Sequence, residues 1–201
     1  VMGDTLINKI AAGEVVEKIA NVVKELVENS IAAESKNIKI ELVESGTKLI
    51  RIVDDGIGMS HDDAILCFSR LATSKIKSEN DLFFINTLGF RGEALPSIAS
   101  VSEVTLKTSM GSVGTTIHIK GGKLISNEKS DALKGTTITI TNLFYNTPAR
   151  LKYLKSEQSE LANSVMLIER EALSHPEIAF TLTNNERVLV KTSGSTNYVF
   201  F

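Results

Sequence analysis

The sequence is short of cysteine, of positive charge and of long apolar runs, and each shortage excludes something. A single cysteine among 201 residues rules out an intrachain disulfide. That residue, Cys67, lies in the apolar run Ala64-Ile65-Leu66-Cys67-Phe68 and reads as a buried packing thiol. A formal net charge of −2 excludes the strongly basic class of nucleic-acid binder, so any such contact has to come from a local patch. No apolar run approaches the roughly 20 residues that cross a bilayer. No basic segment followed by an apolar core stands at the start, so neither a membrane span nor a secretory signal is expected. The phosphate loop Gly-x-x-x-x-Gly-Lys-Ser/Thr occurs nowhere. Together these absences fit a reducing cytoplasm.

What is present is ordinary for a globular chain: 42% hydrophobic and 23% charged residues, enough for one good core, or one domain and the start of another. Residues 8–34 read as a long helix, with Val16, Ile19, Val23, Leu26, Val27 and Ser30 on one side at about 100° per residue. Residues 37–42 alternate as a strand, 49–53 are strand-like, and Ser45-Gly46 between them predicts a hairpin. A second helix is expected over 61–70, opening on His61-Asp62-Asp63. Residues 71–92 read as a long loop, of the kind usually kept for function. A short helix follows over 93–99, then strands over 101–107, 115–120 and 136–141, with Gly121-Gly122 as a turn. Residues 157–174 form another amphipathic helix, and 178–183 with 187–190 a hairpin around Asn184-Asn185. This predicts a two-layer α/β sandwich: a mixed, mostly antiparallel sheet with helices on one face. The apolar Tyr198-Val199-Phe200-Phe201 is expected to lead into a further domain.

Three places carry chemistry. Glu25 and Asn29 sit one helical turn apart, across the helix from Val23 and Val27. A carboxylate there can take a proton from water and an amide oxygen can ligate Mg²⁺; an ordinary polar pair on a solvated face reads as well. Asp54-Asp55-Gly56-Ile57-Gly58 follows an apolar strand. A carboxylate at a strand end can accept from an exocyclic amine, and glycines let the backbone approach a flat ring; a plain tight turn is the alternative. Thr73-Ser74-Lys75 and Gly89-Phe90-Arg91-Gly92-Glu93-Ala94-Leu95 place glycines and positive charge at a loop-to-helix junction, a natural anion site, or else a surface loop with scattered charges.

The segments Ile10–Val16, Val22–Ser30, Asp54-x-Gly56-x-Gly58, Ala72–Lys75, Leu88–Leu95 and Leu143-Phe144-Tyr145-Asn146-Thr147-Pro148-Ala149-Arg150 closely resemble the MutL family, in its order and spacing over nearly the whole chain. Gly-Phe-Arg-Gly-Glu-Ala-Leu and Phe-Tyr-Asn-Thr-Pro-Ala-Arg are the most specific. The resemblance implies a mismatch repair ATPase of the GHKL class, shared with gyrase B subunits, heat-shock chaperones and histidine kinases, on the Bergerat sandwich. It implies ATP and Mg²⁺ as cofactors and a single GHKL domain over 1–201. Glu25 becomes the general base, Asn29 the Mg²⁺ ligand, Asp54 the partner of the adenine amino group, and Gly58 and Thr136 neighbours of the ring. Thr73, Ser74 and Lys75 belong to the nucleotide lid, and Leu88, Gly89, Phe90, Arg91, Gly92, Glu93, Ala94 and Leu95 wrap the phosphates. The implied partners are a second copy held in an ATP-dependent homodimer, a mismatch-recognition protein, a strand-processing nuclease or helicase, and DNA, with no membrane. The implied setting is a bacterial cytoplasm, at the nucleoid when active.

The chain departs from the family pattern in four places. Ala32 stands where the family carries Asp after Asn-Ser/Ala-x, Ile19 where it carries Pro, Asp55 where Asn is common, and Leu71 where many bacterial members have His. The missing carboxylate at Ala32 predicts weaker nucleotide affinity, and the missing proline predicts a helix that begins or bends differently. In this class a lysine from the following domain commonly reaches the γ-phosphate, which leaves open a nucleotide-gated binding module with negligible turnover. Other GHKL proteins are not expected to carry Phe-Tyr-Asn-Thr-Pro-Ala-Arg, and His61, His118 and His175 lie in no phosphoacceptor helix. Arg150, Lys152, Tyr153 and Lys155 form a small basic cluster that reads either as a DNA contact or as a solvated face.

Overall fold

The alternation of apolar residues builds one sheet. The computed structural model describes residues 16–68 and 94–195. Strands β1 (Asn37–Val43), β2 (Leu49–Asp54), β3 (Glu103–Ser109), β4 (Gly114–Lys120), β5 (Lys123–Ser130), β6 (Gly135–Thr141), β7 (Ala179–Asn184) and β8 (Arg187–Lys191) form an eight-stranded sheet in the order β5-β4-β3-β6-β2-β1-β7-β8. All neighbours run antiparallel except β1 and β7. Residues at every second position, Ile38, Ile40 and Leu42, Ile50 and Ile52, Val104 and Leu106, Ile138 and Ile140, are buried. Between them Glu41, Arg51, Thr105, Thr137, Thr139 and Thr141 are half-buried on the opposite face. One face therefore meets the helices and the other does not, which is the expected two-layer arrangement.

The helices are α1 (Ile19–Ala32), α2 (His61–Leu66), α3 (Ala94–Ser100), α4 (Pro148–Leu151) and α5 (Glu157–Ser174). Helix α1 buries Ile19, Val22, Val23, Leu26, Val27 and Ser30, a stripe at helical spacing whose aliphatic members contribute about 1.5–3 kcal/mol each. It begins at Ile19, with Lys18 extended as N-cap. Val16 is buried although Val16–Lys18 are not helical, so the described part of the expected helix over 8–34 is shorter, and residues 8–15 lie outside the described residues. Ile19 is the first helical residue, the position at which proline is tolerated. Its N–H is taken by Glu160 Oε2 of α5 at 3.1 Å, which makes up for the absence of a side-chain cap.

Helix α1 ends in a turn where the Ser35 N–H reaches the Ser30 carbonyl and the Glu34 N–H the Ile31 carbonyl, with Glu34 left-handed at φ 62°. Helix α2 is capped by Ser60, which accepts from the Asp63 N–H, and ends at Leu66 rather than running to residue 70. Cys67 closes it, its thiol pushed up to about 12 by burial and by Asp63, so it is an inert packing group. Strand β5 was not expected from the sequence. No helix among the described residues is long and apolar enough to cross a membrane.

Candidate nucleotide site

Three strands deliver polar side chains in one row onto the helix-facing side. Asp54 ends β2 and pairs in register with Thr136 of β6, which pairs with Thr108 of β3. Asp54 is 9% exposed. Its Oδ1 accepts the Gly56 N–H at 3.0 Å and the Thr136 N–H at 3.2 Å. Its Oδ2 accepts the Ser30 hydroxyl at 2.7 Å, which ties the end of α1 to the row. A carboxylate offers about four acceptor positions; three are taken by these donors, and the buried Ser35 hydroxyl stands beside it as a further hydrogen-bonding neighbour. Burial pushes the Asp54 carboxyl above its ordinary value, and the bonds from Ser30, Gly56, Thr136 and Ser35 partly oppose it.

The backbone around the row is packed too closely for side chains. At Gly58, φ +70°, a Cβ would meet the Ser109 carbonyl, and at Gly135, φ +115°, the Asp54 carbonyl. The Met59 N–H then donates to Thr108 Oγ1 at 3.0 Å, so the segment after Asp54 is pinned to β3. Such a floor suits a flat ring lying against main chain.

Glu25 and Asn29 project from α1, the helix that Ser30 joins to Asp54. Glu25 is half-buried and Asn29 exposed, on the side away from the buried Val23 and Val27, as helical spacing predicts. Ala32, in the last turn of α1, is exposed. The structure thus brings Asp54, Gly58 and Thr136 together and holds the helix of Glu25 and Asn29 beside them. Ala94 and Leu95 open α3 and are half-buried. Thr73, Ser74, Lys75, Leu88, Gly89, Phe90, Arg91, Gly92 and Glu93 lie outside the described residues, as do Leu71 and the segment 198–201. Among the described residues no three His, Cys, Asp or Glu side chains cluster as a metal cage. Asn29 carries an amide oxygen of the kind that can ligate a hard cation.

Sequence reasoning passed over Ser30, Thr108 and Gly135. Their signal is a polar residue at an inward position, Thr108 after Val104 and Leu106, and Ser30 at the end of the apolar stripe of α1. The basic cluster straddles a helix end: Arg150 lies in the last turn of α4, which stops at Leu151, and beyond it Lys152 and Lys155 are exposed and Tyr153 is 86% exposed. Arg150 lines a cleft with Val16, Glu17, Phe144 and Tyr153.

Comparison with known proteins converges on one group. The family described as histidine kinase-, DNA gyrase B-, and HSP90-like ATPase matches residues 17–152. The DNA mismatch repair protein MutL of Bacillus mycoides (strain KBAB4) is 58% identical over 195 residues, 96% of this chain and 30% of that protein. MutL of Geobacillus sp. (strain WCH70) is 56% identical, again over 96% of this chain and 32% of its own length. The chain thus spans about a third of the curated relatives it matches. Among solved structures, the Aquifex aeolicus MutL ATPase domain complexed with ADP superposes with a TM-score of 0.71 at 31% identity, covering 90% of this chain and 66% of that one. The N-terminal domain of a DNA repair protein superposes with a TM-score of 0.81 at 27% identity, covering 96% and 58%.

Proposed function

The chain belongs to the histidine kinase-, DNA gyrase B- and HSP90-like ATPases, in the branch of MutL, and from that premise we propose that it binds ATP with Mg²⁺ and slowly hydrolyses it in DNA mismatch repair. The observation that carries the reading is the buried Asp54 carboxylate at the end of β2, held beside main chain packed too closely to admit a side chain at Gly58 or Gly135. An adenine amino group is a donor that this carboxylate can accept from. The ADP of the Aquifex aeolicus structure supports a nucleotide as the ligand.

Each residue then has a task. Asp54 accepts from the amine while Gly58 and Thr136 border the ring. Asn29 offers its amide oxygen to the cation, and Mg²⁺ supplies charge neutralisation at the phosphates when bound. Glu25, one turn earlier, takes the proton of the attacking water. Thr73, Ser74, Lys75 and the run Leu88–Leu95 close over the phosphates. Nucleotide binding orders that lid and favours a homodimer, which meets a mismatch-recognition protein, a strand-processing nuclease or helicase, and DNA through Arg150, Lys152, Tyr153 and Lys155. The setting is a bacterial cytoplasm, at the nucleoid during repair. Residues 1–201 form one domain of a longer protein.

Steady-state phosphate release from ATP, with Glu25→Ala as control, tests the hydrolytic step. A rate above the control is expected; equal rates remove hydrolysis and leave a nucleotide-gated binding module. The exposed Ala32, where the family carries a carboxylate, favours that second reading.

A further inference from the structure

Helices α1 and α5 begin differently. Helix α5 has its own cap, Ser156, and an acidic first turn in Glu157 and Glu160. Helix α1 has neither, since Lys18 makes no side-chain cap and its first turn holds no acidic residue. Its first N–H, that of Ile19, is taken from outside by Glu160 Oε2 at 3.1 Å. Oε1 of the same carboxylate takes the Lys155 N–H at 3.1 Å, which fixes its direction toward α1. Glu160 is buried, at 0% exposure, and among the described residues no ion pair joins it to Lys, Arg or His. A buried charge without a cation is costly, and an apolar side chain would pack in its place. The gain is an acceptor for the end of another helix, in the field of two helix N-termini. Helix α1 is therefore tied at both ends to side chains of other elements, to Glu160 through Ile19 and to Asp54 through Ser30 at 2.7 Å. Glu25 lies between the ties, about 9 Å along the axis from Ile19.

We propose that Glu160 is a positioning residue for hydrolysis: from α5 it seats the first turn of α1 and so sets where Glu25 stands against the bound nucleotide. This rests on the proposed role of Glu25 as general base. Without the Ile19 bond the apolar stripe still holds α1 in the core, but its first turn can shift. Glu25 moves with that turn, and displacing a reacting group by about 1 Å costs up to roughly 100-fold in rate. The Asp54–Thr136 pair stays in place, because strand register and not α1 aligns it. The effect therefore falls on turnover and spares affinity.

Phosphate release from ATP with Mg²⁺, counted per binding site titrated by calorimetry with the imido analogue of ATP, tests this in Glu160→Met. Methionine keeps the length of the side chain and removes both acceptors. The expected result is a kcat about ten-fold lower, with KM and analogue affinity within about two-fold of the unaltered chain. An unchanged kcat, or a fall matched by an equal loss of affinity, overturns the inference and leaves the nucleotide site standing. Adding Lys18→Asp separates seating from helix stability, because Lys18 is extended at the N-cap and aspartate there gives α1 a cap of its own. Turnover still low in the double variant, against Lys18→Asp alone, supports the inference. Turnover restored shows that Glu160 only stabilises the helix start, and overturns it. If Glu160→Met does not fold, the capped double variant decides by the same two outcomes. Phosphate release by the unaltered chain no faster than by Glu25→Ala overturns the inference together with the hydrolytic reading.

Discussion

The Asp54–Thr136–Thr108 row and the Glu25–Asn29 turn are neighbours built on opposite plans. Asp54, Thr136 and Thr108 come from three adjacent strands, face the core, and have hydrogen bonds to main chain or to one another. Glu25 and Asn29 come from one helix and look away from its buried stripe, one half-buried and the other exposed. The row takes its shape when the sheet forms, because register alone lines it up. The turn takes its position from how α1 is held, at one end by Ser30 on Asp54 and at the other by Glu160 on the Ile19 N–H. Under the proposed function, recognition would thus be preset by strand pairing, whereas chemistry would depend on the seating of a helix.

That contrast breaks most sharply when each half is removed separately. Glu25→Ala is expected to lower phosphate release by about 10²–10⁴-fold, the usual worth of a positioned general base, while affinity for a non-hydrolysable ATP analogue holds within about two-fold by calorimetry. A parallel loss of affinity would mean the two halves are not separable. Asp54→Ala should do the reverse, weakening the analogue by roughly 10–100-fold, since it deletes a charged acceptor and strands the Ser30, Gly56 and Thr136 donors.

Acid probes the same group without mutation. The folded Asp54 carboxyl sits above its ordinary 3.8, burial being the largest cause. For an acid shifted upward, the ionised form costs folding stability at higher pH, and the folded chain takes up the proton first as pH falls, so the contribution to stability rises. The ligand needs the opposite state, because an amine donates to the carboxylate. Analogue affinity should therefore fall as pH drops through a midpoint above 3.8, and Asp54→Asn should lack that step. An affinity flat down to 3.8 would count against Asp54 as the amine's partner.

Smaller effects sharpen the boundary between the halves. Ala32→Asp should tighten the analogue about ten-fold, the scale of one charge-assisted hydrogen bond, at some cost in stability because a negative charge then sits in the last turn of α1. Equal affinities by calorimetry would sink the role assigned to the missing carboxylate. Glu34→Gly should leave affinity untouched and raise stability by roughly 0.5–1 kcal/mol, since Glu34 holds the left-handed position closing α1 at φ 62°. The midpoint of urea unfolding reads this, and an unshifted midpoint would show that the turn carries no strain.

Elements whose own pattern is strong were legible. Helix α5 spans Glu157–Ser174, the range its periodicity predicts, and Ser156 caps it by accepting the Ser159 N–H. The hairpin of β1 and β2 closes over Ser45 and Gly46 as expected. Strand β5 was invisible because it is a sheet edge with most side chains exposed, so no alternation marks it. The start of α1 was misjudged because Val16 continues the apolar spacing while its burial comes from tertiary packing rather than from helix. Of the site, Glu25, Asn29, Asp54 and Gly58 carried a local signal, a turn of helix or a strand end. Thr108 carried none beyond being polar at an inward position.

By itself the sequence determined most of the elements, the helical face shared by Glu25 and Asn29, the strand end at Asp54 and the family, because each rests on residues close along the chain. Only the tertiary structure decided that Asp54, Thr136 and Thr108 stand in one row. Those residues are 28 to 82 positions apart in the bonds that join them, and strand register, which no local pattern encodes, is what sets hydrogen-bond distance between them.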